Sequence, residues 1–499
     1  MPRAIKLQEG TQQDSYIIHT AEGHSYHFNK RMKGGRIYAR CCLYYKTRRI
    51  CTAAISFDQN TGIYKTCGRH CHPPPRFLQK ERELRHALLT RCRDAEETKT
   101  LHEIYHEERT RLRTPNEAVA NIPFVKVRRS MELARREGWP ELPTTLTELA
   151  NLLSNDQHKW ITASPDGEDN IYAGVVGRTR DRTRCVLLLS QRQRRYLNEN
   201  RVKLVFSDGT FIAPENSGCA QILNLVTLRR KSNPHIIPLG SILMQSKLTA
   251  CYVVALQAIR QMCPNFRPTK IICDFEFAEQ SAWRQVFPNA ERHGCFFHHT
   301  NDVCQKAKEL GLRPLVRQNE DADSIVRSLC AIPLLKTESL VDGFEAVIDR
   351  AIQLDLGELA DLFAYYRRTW LIPCRLPILS VYKNRFRTSN ACESYNASMY
   401  RAAKRDHPNI FQLLKACVKL EDYCNTDHAV LNTGEQANRA RRSSALVNDR
   451  RIAGLTEDLE DGEITVEEFL RRASRRIQGV YDNLMHDAPP EGADEVDGQ

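Results

Sequence analysis

The sequence predicts a multidomain α+β protein: a small β domain, a helical linker, an α/β core with an all-helical insertion, and a helical C-terminal region. A chain of 499 residues with 41% hydrophobic residues can bury a large core and exceeds the usual size of one domain. Residues 1–80 carry fourteen Lys and Arg against four Asp and Glu, so most of the net charge of +12 lies at one end. The hydrophobic pattern changes from short strands to charged helices, and then to strands mixed with helices.

The basic end of the chain predicts a polyanionic partner, for which nucleic acid is the simplest candidate. The alternative is a basic surface that serves only solubility. The chain has no run of about 18 apolar residues and no apolar core of a signal peptide at its start, which predicts a soluble intracellular protein without a membrane partner. Its eighteen cysteines are then expected mainly as reduced core thiols, with metal ligands among them.

Residues 10–76 contain short strand-like segments separated by turns, which predicts a small antiparallel sheet. Such a sheet buries too small a hydrophobic core to fold without an additional cross-link. Two thiolates and two imidazoles can supply one, because together they make a closed tetrahedral zinc site. The candidate ligands are Cys41, Cys51, His70 and His72. Cys42 is an alternative to Cys41, and Cys67 and Cys71 lie close by. The other interpretation is unrelated core cysteines and surface histidines.

These residues resemble the FLYWCH zinc-finger family. Tyr38-Ala-Arg-Cys41 corresponds to the Tyr-Trp-Arg-Cys of that family, with Ala39 in place of its tryptophan. Cys51-Thr-Ala corresponds to Cys-x-Ala, and His70-Cys-His72-Pro corresponds to the closing His-x-His-Pro. The resemblance implies a zinc-stabilised sheet that docks on DNA. The basic residues expected to contact DNA are Arg36, Arg40, Lys46, Arg48, Arg49, Lys65 and Arg69.

Residues 77–155 are dense in Glu, Arg and His with sparse apolar positions, which predicts a linker of mostly exposed helices. Prolines, beginning with Pro115, divide the segment into several helices. Lys126-Val-Arg-Arg129 and Arg135-Arg136 make one helix basic. The segment is therefore either a second DNA-contacting unit or a connector with a solvated charged face.

Residues 170–300 predict the first part of the α/β core. Three strands in a meander are followed by a helix, a strand, a helix and a strand over residues 291–298, which is the element order of the ribonuclease H-like fold. Two of the apolar runs end on an acid, at Asp208 and at Asp274. In this fold the first and fourth strands are neighbours, so the two acids would meet at one site. Divalent cations prefer such oxygen ligands held on rigid elements.

The rest of the chain reads mainly as helices. Residues 301–380 have apolar positions at helical spacing and predict an all-helical insertion. Residues 381–430 are expected to supply the final helices of the core, one of which carries Glu393 just after the capping residues Thr388, Ser389 or Asn390.

Residues 431–499 predict further helices and a disordered acidic tail from Asp487. The basic clusters at 439–442 and 471–476 are either nuclear-localisation or DNA-backbone patches, or an exposed helix face.

Four motifs of the core resemble those of Mutator-like element transposases: Ser207-Asp-Gly-Thr-Phe211, Cys273-Asp-Phe-Glu276, Gly294-Cys-Phe-Phe-His298 and Thr388-Ser-Asn-Ala-Cys-Glu-Ser-Tyr-Asn396. A FLYWCH-type finger is a frequent companion of that core. The resemblance implies a DDE-type DNA transposase that binds terminal inverted repeats, with Asp208, Asp274 and Glu393 as its catalytic, metal-binding triad. Cys295 and His298 then form the Cys-x-x-His motif of the family.

Three carboxylates can hold two Mg²⁺ or Mn²⁺ ions about 4 Å apart, which suits hydrolysis and strand transfer at a phosphodiester. Cys295 and His298 are either a metal-binding or substrate-positioning pair, or a packed strand end that orients the triad, and we expect the second. Glu276 is a support residue or a further ligand.

We expect a nuclear protein that acts on double-stranded DNA, both element ends and target, as a homodimer or higher homo-oligomer. The alternative functions are a domesticated transposase-derived transcriptional regulator and a nuclease without strand transfer.

Overall fold

The computed structural model describes residues 4–9, 16–32, 36–44, 50–58, 60–94, 97, 99–229, 234–373, 375–403, 408–435, 443–477 and 480–486. The chain forms two compact units, Met1–Glu141 and Leu142–Gln499. It is mixed α+β, with an antiparallel sheet in the first unit, a mixed sheet in the second and many helices. No helix in the described part is long and apolar enough to cross a bilayer. The finer domain boundaries that the sequence predicts stay predictions.

The first sheet has six antiparallel strands in sequential order. Along the fourth strand buried and half-buried residues alternate, because successive side chains of a strand point to opposite faces. The buried positions Ile37, Ala39 and Cys41 join a small apolar cluster that also holds Cys51. The strands are β1 (Ala4–Glu9), β2 (Tyr16–Thr20), β3 (Ser25–Arg31), β4 (Arg36–Cys41), β5 (Ala54–Asp58) and β6 (Tyr64–Cys67).

Four helices complete the first unit: α1 (Leu78–Arg93), α2 (Leu101–Arg111), α3 (Asn116–Asn121) and α4 (Phe124–Glu137). A single apolar cluster joins α1, α2 and α4 through Leu84, Leu88, Tyr105 and Met131, so the sparse apolar positions of this segment are gathered on one shared face.

The second unit contains a seven-stranded sheet with the strand order β13-β12-β9-β10-β11-β8-β7. Strand β12 pairs in parallel with β9 and β13, and the other pairs are antiparallel. The two acid-bearing strands, β9 and β12, are therefore neighbours. The elements are α5 (Leu146–Leu153), β7 (Tyr172–Val176), β8 (Cys185–Leu188), α6 (Gln191–Asn198), β9 (Leu204–Thr210), β10 (Gln221–Arg229), β11 (His235–Met244), α7 (Thr249–Met262), β12 (Lys270–Cys273), α8 (Phe277–Val286) and β13 (Glu291–Gly294).

The remaining elements are helices. They are α9 (Phe296–Glu309), α10 (Arg313–Gln318), α11 (Glu320–Ala331), α12 (Leu340–Gln353), α13 (Ala360–Trp370), α14 (Leu376–Leu379), α15 (Asn390–Ala403), α16 (Ile410–Asn432), α17 (Ser443–Glu460), α18 (Val466–Ser474) and α19 (Val480–His486). The predicted strand over residues 291–298 is wrong in its second half, because β13 ends at Gly294 and α9 begins at Phe296. The basic cluster at 439–442 and the tail from Asp487 lie outside the described residues.

Two groups of helices cover the large sheet. An apolar cluster joins one face of the sheet to α6, α7 and α8, with Trp283 fully buried in it. On the other face α15 lies against β9 and β10 and α16 against β11. Because alternate residues of a strand point to opposite faces, Ser207 points towards α8 and Asp208 towards α15.

The helices of the insertion share their core with the last helices of the chain. Phe344, Tyr366 and Trp370 belong to the same buried cluster as Phe469 and Tyr481. The C-terminal helices α17 to α19 are thus part of this helical body. In the basic cluster at 471–476, Arg471 and Arg472 each pair with Glu468 on their own helix, at 2.7 and 2.5 Å.

Candidate functional site

The two aspartates lie at the same edge of the large sheet. Ile272 of β12 pairs with Phe206 of the parallel strand β9, and each strand carries an acid two residues further on. Asp208 and Asp274 are therefore at the same level of adjacent strands. Asp208 is 9% exposed, whereas the Asp274 side chain is 43% exposed, so the site opens towards solvent on the Asp274 side.

A chain of amides fixes the carboxylate of Asp208. Asn396 of α15 donates from Nδ2 to Asp208 Oδ2 at 2.8 Å, and its own Oδ1 accepts from Asn224 Nδ2 at 2.7 Å. The Oγ of Ser241 donates to Asn224 Oδ1 at 2.6 Å. Each amide is oriented by the next polar group, so Asn396 presents its NH₂ group and not its oxygen to Asp208. Three elements thus hold one carboxylate in place.

Glu393 reaches the same site from the first turn of α15. Cys295 Sγ accepts hydrogen bonds from the backbone N–H and from Oγ of Ser389, both at 3.2 Å. Since Ser389 immediately precedes α15, this contact ties the start of that helix to the end of β13. Oε1 of Glu393 is buried without a hydrogen-bond partner in the described part of the chain.

The three acids act on one another electrostatically. Burial raises the pKa of Asp208 to about 6, and the charge of Asp274 adds to this rise while His298 and the amide of Asn396 oppose it. Burial also raises the pKa of Glu393, again with contributions from Asp208 and Asp274. His298 connects these acids in space, since it lies 3.6 Å from Asp274 and in one group of potential ligands with Glu393.

His298 lies inside this site, in the first turn of α9. Its Nδ1 is 3.6 Å from Asp274 Oδ1, and ligand atoms of Cys295, His298 and Glu393 lie within 4.8 Å of one another. Burial alone would lower the pKa of His298, but Cys295, Asp274 and Asp208 outweigh it and raise the pKa to about 10. His298 lies in a helix and not at the end of a strand, and whether it positions the acids or binds a ligand stays a prediction.

Sequence reasoning missed Glu279, a fully buried acid behind the site. Its Oε1 accepts hydrogen bonds from Ser207 Oγ at 2.5 Å and from Trp283 Nε1 at 3.3 Å. Burial raises the pKa of Glu279 to about 8. The sequence does contain one indication of a buried acid, because Glu279 lies in the middle of the apolar face of α8.

Glu276, which we expect as a support residue or ligand, accepts a hydrogen bond from the Tyr252 hydroxyl at 3.2 Å. Burial raises its pKa, with Lys247 and the bond from Tyr252 opposing that rise.

In the first unit the four predicted zinc ligands come together. Ligand atoms of Cys41, Cys51, His70 and His72 lie within 4.8 Å of one another. Cys41 Sγ and Cys51 Sγ are 3.2 and 3.3 Å from His72 Nε2, which is itself 3.3 Å from His70 Nδ1. Donors on a tetrahedral zinc ion are roughly 3.3 to 3.8 Å apart, given ordinary Zn–N and Zn–S bonds. The arrangement fits zinc.

Outer contacts orient both imidazoles of this cluster. The Tyr26 hydroxyl lies 2.8 Å from His70 Nε2, and His72 Nδ1 donates to the carbonyl oxygen of Pro73 at 2.8 Å. Such contacts fix the tautomer and leave the other ring nitrogen free for a metal.

The alternative cysteines lie apart from this cluster. Cys42 Sγ accepts from Arg82 Nη1 at 3.0 Å, and Cys67 and Cys71 are exposed.

The predicted DNA-binding residues are only partly described. Lys65 and Arg69 are exposed, and the Arg40 guanidinium lies 5.1 Å from the ring centre of Tyr44. Arg36 donates to the hydroxyl and carbonyl oxygens of Ser56. The remaining three, Lys46, Arg48 and Arg49, lie outside the described residues.

Comparison with known proteins gives one family match. Residues 204–302 match the MULE transposase domain. The matched segment begins at the first residue of β9 and ends within α9, so it contains Asp208, Asp274 and His298 but not Glu393. No curated protein matches the chain. The match implies a transposase-related function, and the chain resembles a MULE transposase over this segment.

Proposed function

We propose that the chain is a DDE-type DNA transposase that uses Asp208, Asp274 and Glu393 to hydrolyse phosphodiesters at element ends and to transfer the freed strands. The observation that supports the proposal is that Asp208 and Asp274 lie at the same level of adjacent parallel strands, inside the segment that matches a MULE transposase domain. Glu393, from outside that segment, lies beside His298, which is itself 3.6 Å from Asp274.

The topology of the core supports a ribonuclease H-like fold. Strands β9, β10 and β11 form an antiparallel meander, and β12 and β13 lie parallel to β9 on its other side. The order of these five strands agrees with the proposed fold, and β8 and β7 extend the sheet at one edge. The two aspartates then lie at the carboxyl ends of the adjacent parallel strands β9 and β12, where ligands of α/β sheets bind.

The donor set suits Mg²⁺ or Mn²⁺. Carboxylate oxygens are the ligands that these hard cations prefer, and the unpartnered Oε1 of Glu393 offers a buried acceptor. Asp208, Asp274 and Glu393 would hold the ions. When bound, two such ions supply activation of the attacking oxygen and stabilisation of the leaving oxygen.

The other residues of the site position these groups. Asn396 holds Asp208 in one orientation, and Cys295 fixes the start of the helix that carries Glu393. His298, 3.6 Å from Asp274, would offset part of the repulsion between the acids when it is protonated. Water attack at an element end would free a 3′-hydroxyl group, which would then attack target DNA at the same carboxylates.

The first unit would supply DNA binding. We propose that Cys41, Cys51, His70 and His72 hold zinc, and that the basic sheet binds terminal inverted repeats through phosphate contacts as a FLYWCH-type finger. The protein would act in the nucleus on double-stranded DNA as a homodimer or higher homo-oligomer.

The test is Mn²⁺-dependent nicking of the repeats that flank the gene, by the purified full-length chain. Asp208→Asn should reduce nicking more than about 100-fold, because a metal ligand is lost. Gel-shift binding of the same repeats should stay unchanged, since it depends on the finger. Asp342→Asn, at an exposed aspartate of α12, is the matched control. Cleavage that survives in Asp208→Asn contradicts the proposal, and repeat binding without any cleavage by the wild type would favour a regulator.

A further inference from the structure

Three exposed aromatic residues lie on the elements that carry the three acids or directly follow them. Phe211 is 62% exposed, Phe277 72% and Tyr400 38%. Exposed apolar side chains are normal when they occur singly, but a group at one place signals a binding surface. Two contacts link the segments that carry these rings: Thr210, beside Phe211, bonds to Tyr400, and Lys247, over Phe211, acts electrostatically on Glu276, beside Phe277.

Each ring follows one of the three acids along the chain. Phe211 lies three residues after Asp208 where β9 ends, and Phe277 lies three residues after Asp274 where α8 begins. Because β9 and β12 are parallel neighbours, both segments leave the sheet at the same edge.

Tyr400 comes seven residues after Glu393 on α15, which is two turns along the same helix face. Thr210, beside Phe211, donates from Oγ1 to the Tyr400 hydroxyl at 3.4 Å.

The backbone under the rings is fixed by buried polar contacts. Gln221 Nε2 donates to the Tyr252 hydroxyl at 2.6 Å, and that hydroxyl donates to Glu276, the residue before Phe277. A Cβ atom on Gly209 would lie 2.8 Å from Gln221 Oε1, so β9 approaches the same group closely. The Lys247 ammonium lies 4.2 Å from the ring centre of Phe211 and adds a positive charge to the surface.

We propose that Phe211, Phe277 and Tyr400 form a stacking surface for unpaired nucleobases of the DNA beside the scissile phosphate, with Lys247 contacting the adjoining backbone. The inference rests on the proposed function of the site. A paired base keeps its faces inside the duplex, so rings at this edge can stack only on bases that have left the helix. Any of the four bases can stack on an aromatic ring, so the surface needs no particular sequence. The ammonium group of Lys247 can contact the neighbouring phosphates.

The proposal predicts tighter binding to DNA that already contains an unpaired base. Opening a base pair costs free energy, and no pair has to be opened at a bulge. The probe is a duplex with one bulged 2-aminopurine, compared with the same duplex fully paired. The full-length chain should bind the bulged duplex more tightly and quench its fluorescence, because a stacked 2-aminopurine is quenched. In Phe211→Leu/Phe277→Leu the preference should fall by about tenfold and the quenching should disappear.

Tyr423→Leu is the matched control, because Tyr423 is also exposed, at 52%, and also lies beside a lysine, Lys419, but belongs to α16. It should keep both the preference and the quenching. Lys247→Gln should weaken binding to the bulged and the paired duplex equally. It should also reduce the salt dependence of binding by about one phosphate contact.

Asp208→Asn separates this proposal from the proposed function, since it should abolish nicking and keep the bulge preference. Equal binding of the two duplexes by the wild type, or an unchanged preference in the double variant, overturns the stacking surface even if nicking proceeds. A loss of self-association in the double variant, measured by light scattering, with unchanged DNA binding would also overturn it, because the rings would then bind a second copy of the chain.

Discussion

At the residue scale, the site depends on neutral groups as much as on its acids. Asn396 is the clearest case, because its single amide links Asp208 to Asn224 of the neighbouring strand. In Asn396→Ala both partners lose a buried hydrogen bond. We predict a loss of about 1 to 3 kcal/mol of folding free energy and a roughly 10- to 100-fold weaker Mn²⁺ affinity.

Urea unfolding and titration with Mn²⁺ measure these two effects. Ser398→Ala on the same helix is the control, since within the described residues Ser398 bonds to the backbone of its own helix and to Arg401. A variant at position 396 that binds Mn²⁺ like the wild type would show that the amide does not orient Asp208.

Glu279 predicts a pH dependence of stability. Its pKa is about 8 in the folded chain because of burial, against 4.5 for an ordinary glutamate, so the folded state holds the proton more tightly. Its contribution to stability is complete below pH 4.5 and is lost as pH rises towards 8, by at most about 1.4 kcal/mol per pH unit. Glu279→Gln keeps the acceptor for Ser207 and Trp283 and cannot ionise.

Denaturant unfolding between pH 5 and 8 should therefore give a flatter stability profile for Glu279→Gln than for the wild type. Glu279→Ala should be less stable at every pH, because it leaves a cavity and two unpaired donors. Parallel profiles for wild type and Glu279→Gln would mean that the buried carboxyl is ionised throughout.

The sequence reveals some of these residues and conceals others. Asp208 and Asp274 are visible because each follows an apolar strand, where a lone acid is unusual. Glu393 lies in a helix, where acids are common, and it can be recognised as a candidate only through the motif at residues 388–396. Glu279 looks like an ordinary helix acid, and the role of Asn224 appears only when strand pairing places it beside Asp208.

At the element scale, the junction between β13 and the insertion is tightly packed. A Cβ atom on Gly294 would lie 2.1 Å from the ring of Phe275, which packs against Trp370 with ring centres 4.8 Å apart. Because Phe275 follows Asp274, a displaced ring would also move that acid. We predict that Gly294→Ala costs about 1 to 3 kcal/mol of stability and lowers nicking.

Thermal unfolding and the nicking assay together measure this effect. Gly357→Ala is the matched control, since a Cβ atom there would meet no atom within 4 Å. Wild-type stability and nicking in Gly294→Ala would show that Phe275 can move without cost.

The same junction explains the error in the predicted strand. The run Cys295-Phe-Phe is short and apolar, and periodicity alone does not distinguish a strand from a buried helix start. The choice is made by a distant segment, since the backbone N–H of Phe296 donates to the carbonyl oxygen of Arg387 at 2.9 Å. A tertiary contact across about 90 residues is not readable from local sequence.

At the scale of the whole molecule, we predict that the thermal stability of each compact unit depends on a different metal. The sheet of the first unit buries few apolar residues, so its stability should depend on zinc. A zinc chelator should remove a low-temperature unfolding transition from the calorimetric trace and abolish repeat binding. The transition of the second unit should remain and should rise with added Mn²⁺.

Cys51→Ser should reproduce the effect of the chelator, and Cys67→Ser, at an exposed cysteine, is its control. A single transition that zinc removal leaves in place would contradict the zinc assignment.

The overall α+β character could be predicted because hydrophobic periodicity and turn residues mark individual elements. The pairing of the acid-bearing strands is predicted from the order of those elements, by comparison with a known fold. The sequence does not predict which helices pack together in one core. The periodicity of α18 shows that Phe469 and Leu470 face inwards, but nothing local to them identifies α11 and α12 as their partners.

That shared core has a consequence for the order of folding. Arg327 in α11 bonds to the carbonyl oxygen of Ile477 and to Asp482, and Tyr481 bonds to Asp323, so residues 477–482 pack against the middle of the chain. During translation the helical body has to wait, with its apolar face open, until residue 486 has emerged from the ribosome. A premature stop codon between α16 and residue 486 should therefore act as a folding defect and give insoluble protein instead of a shortened soluble chain.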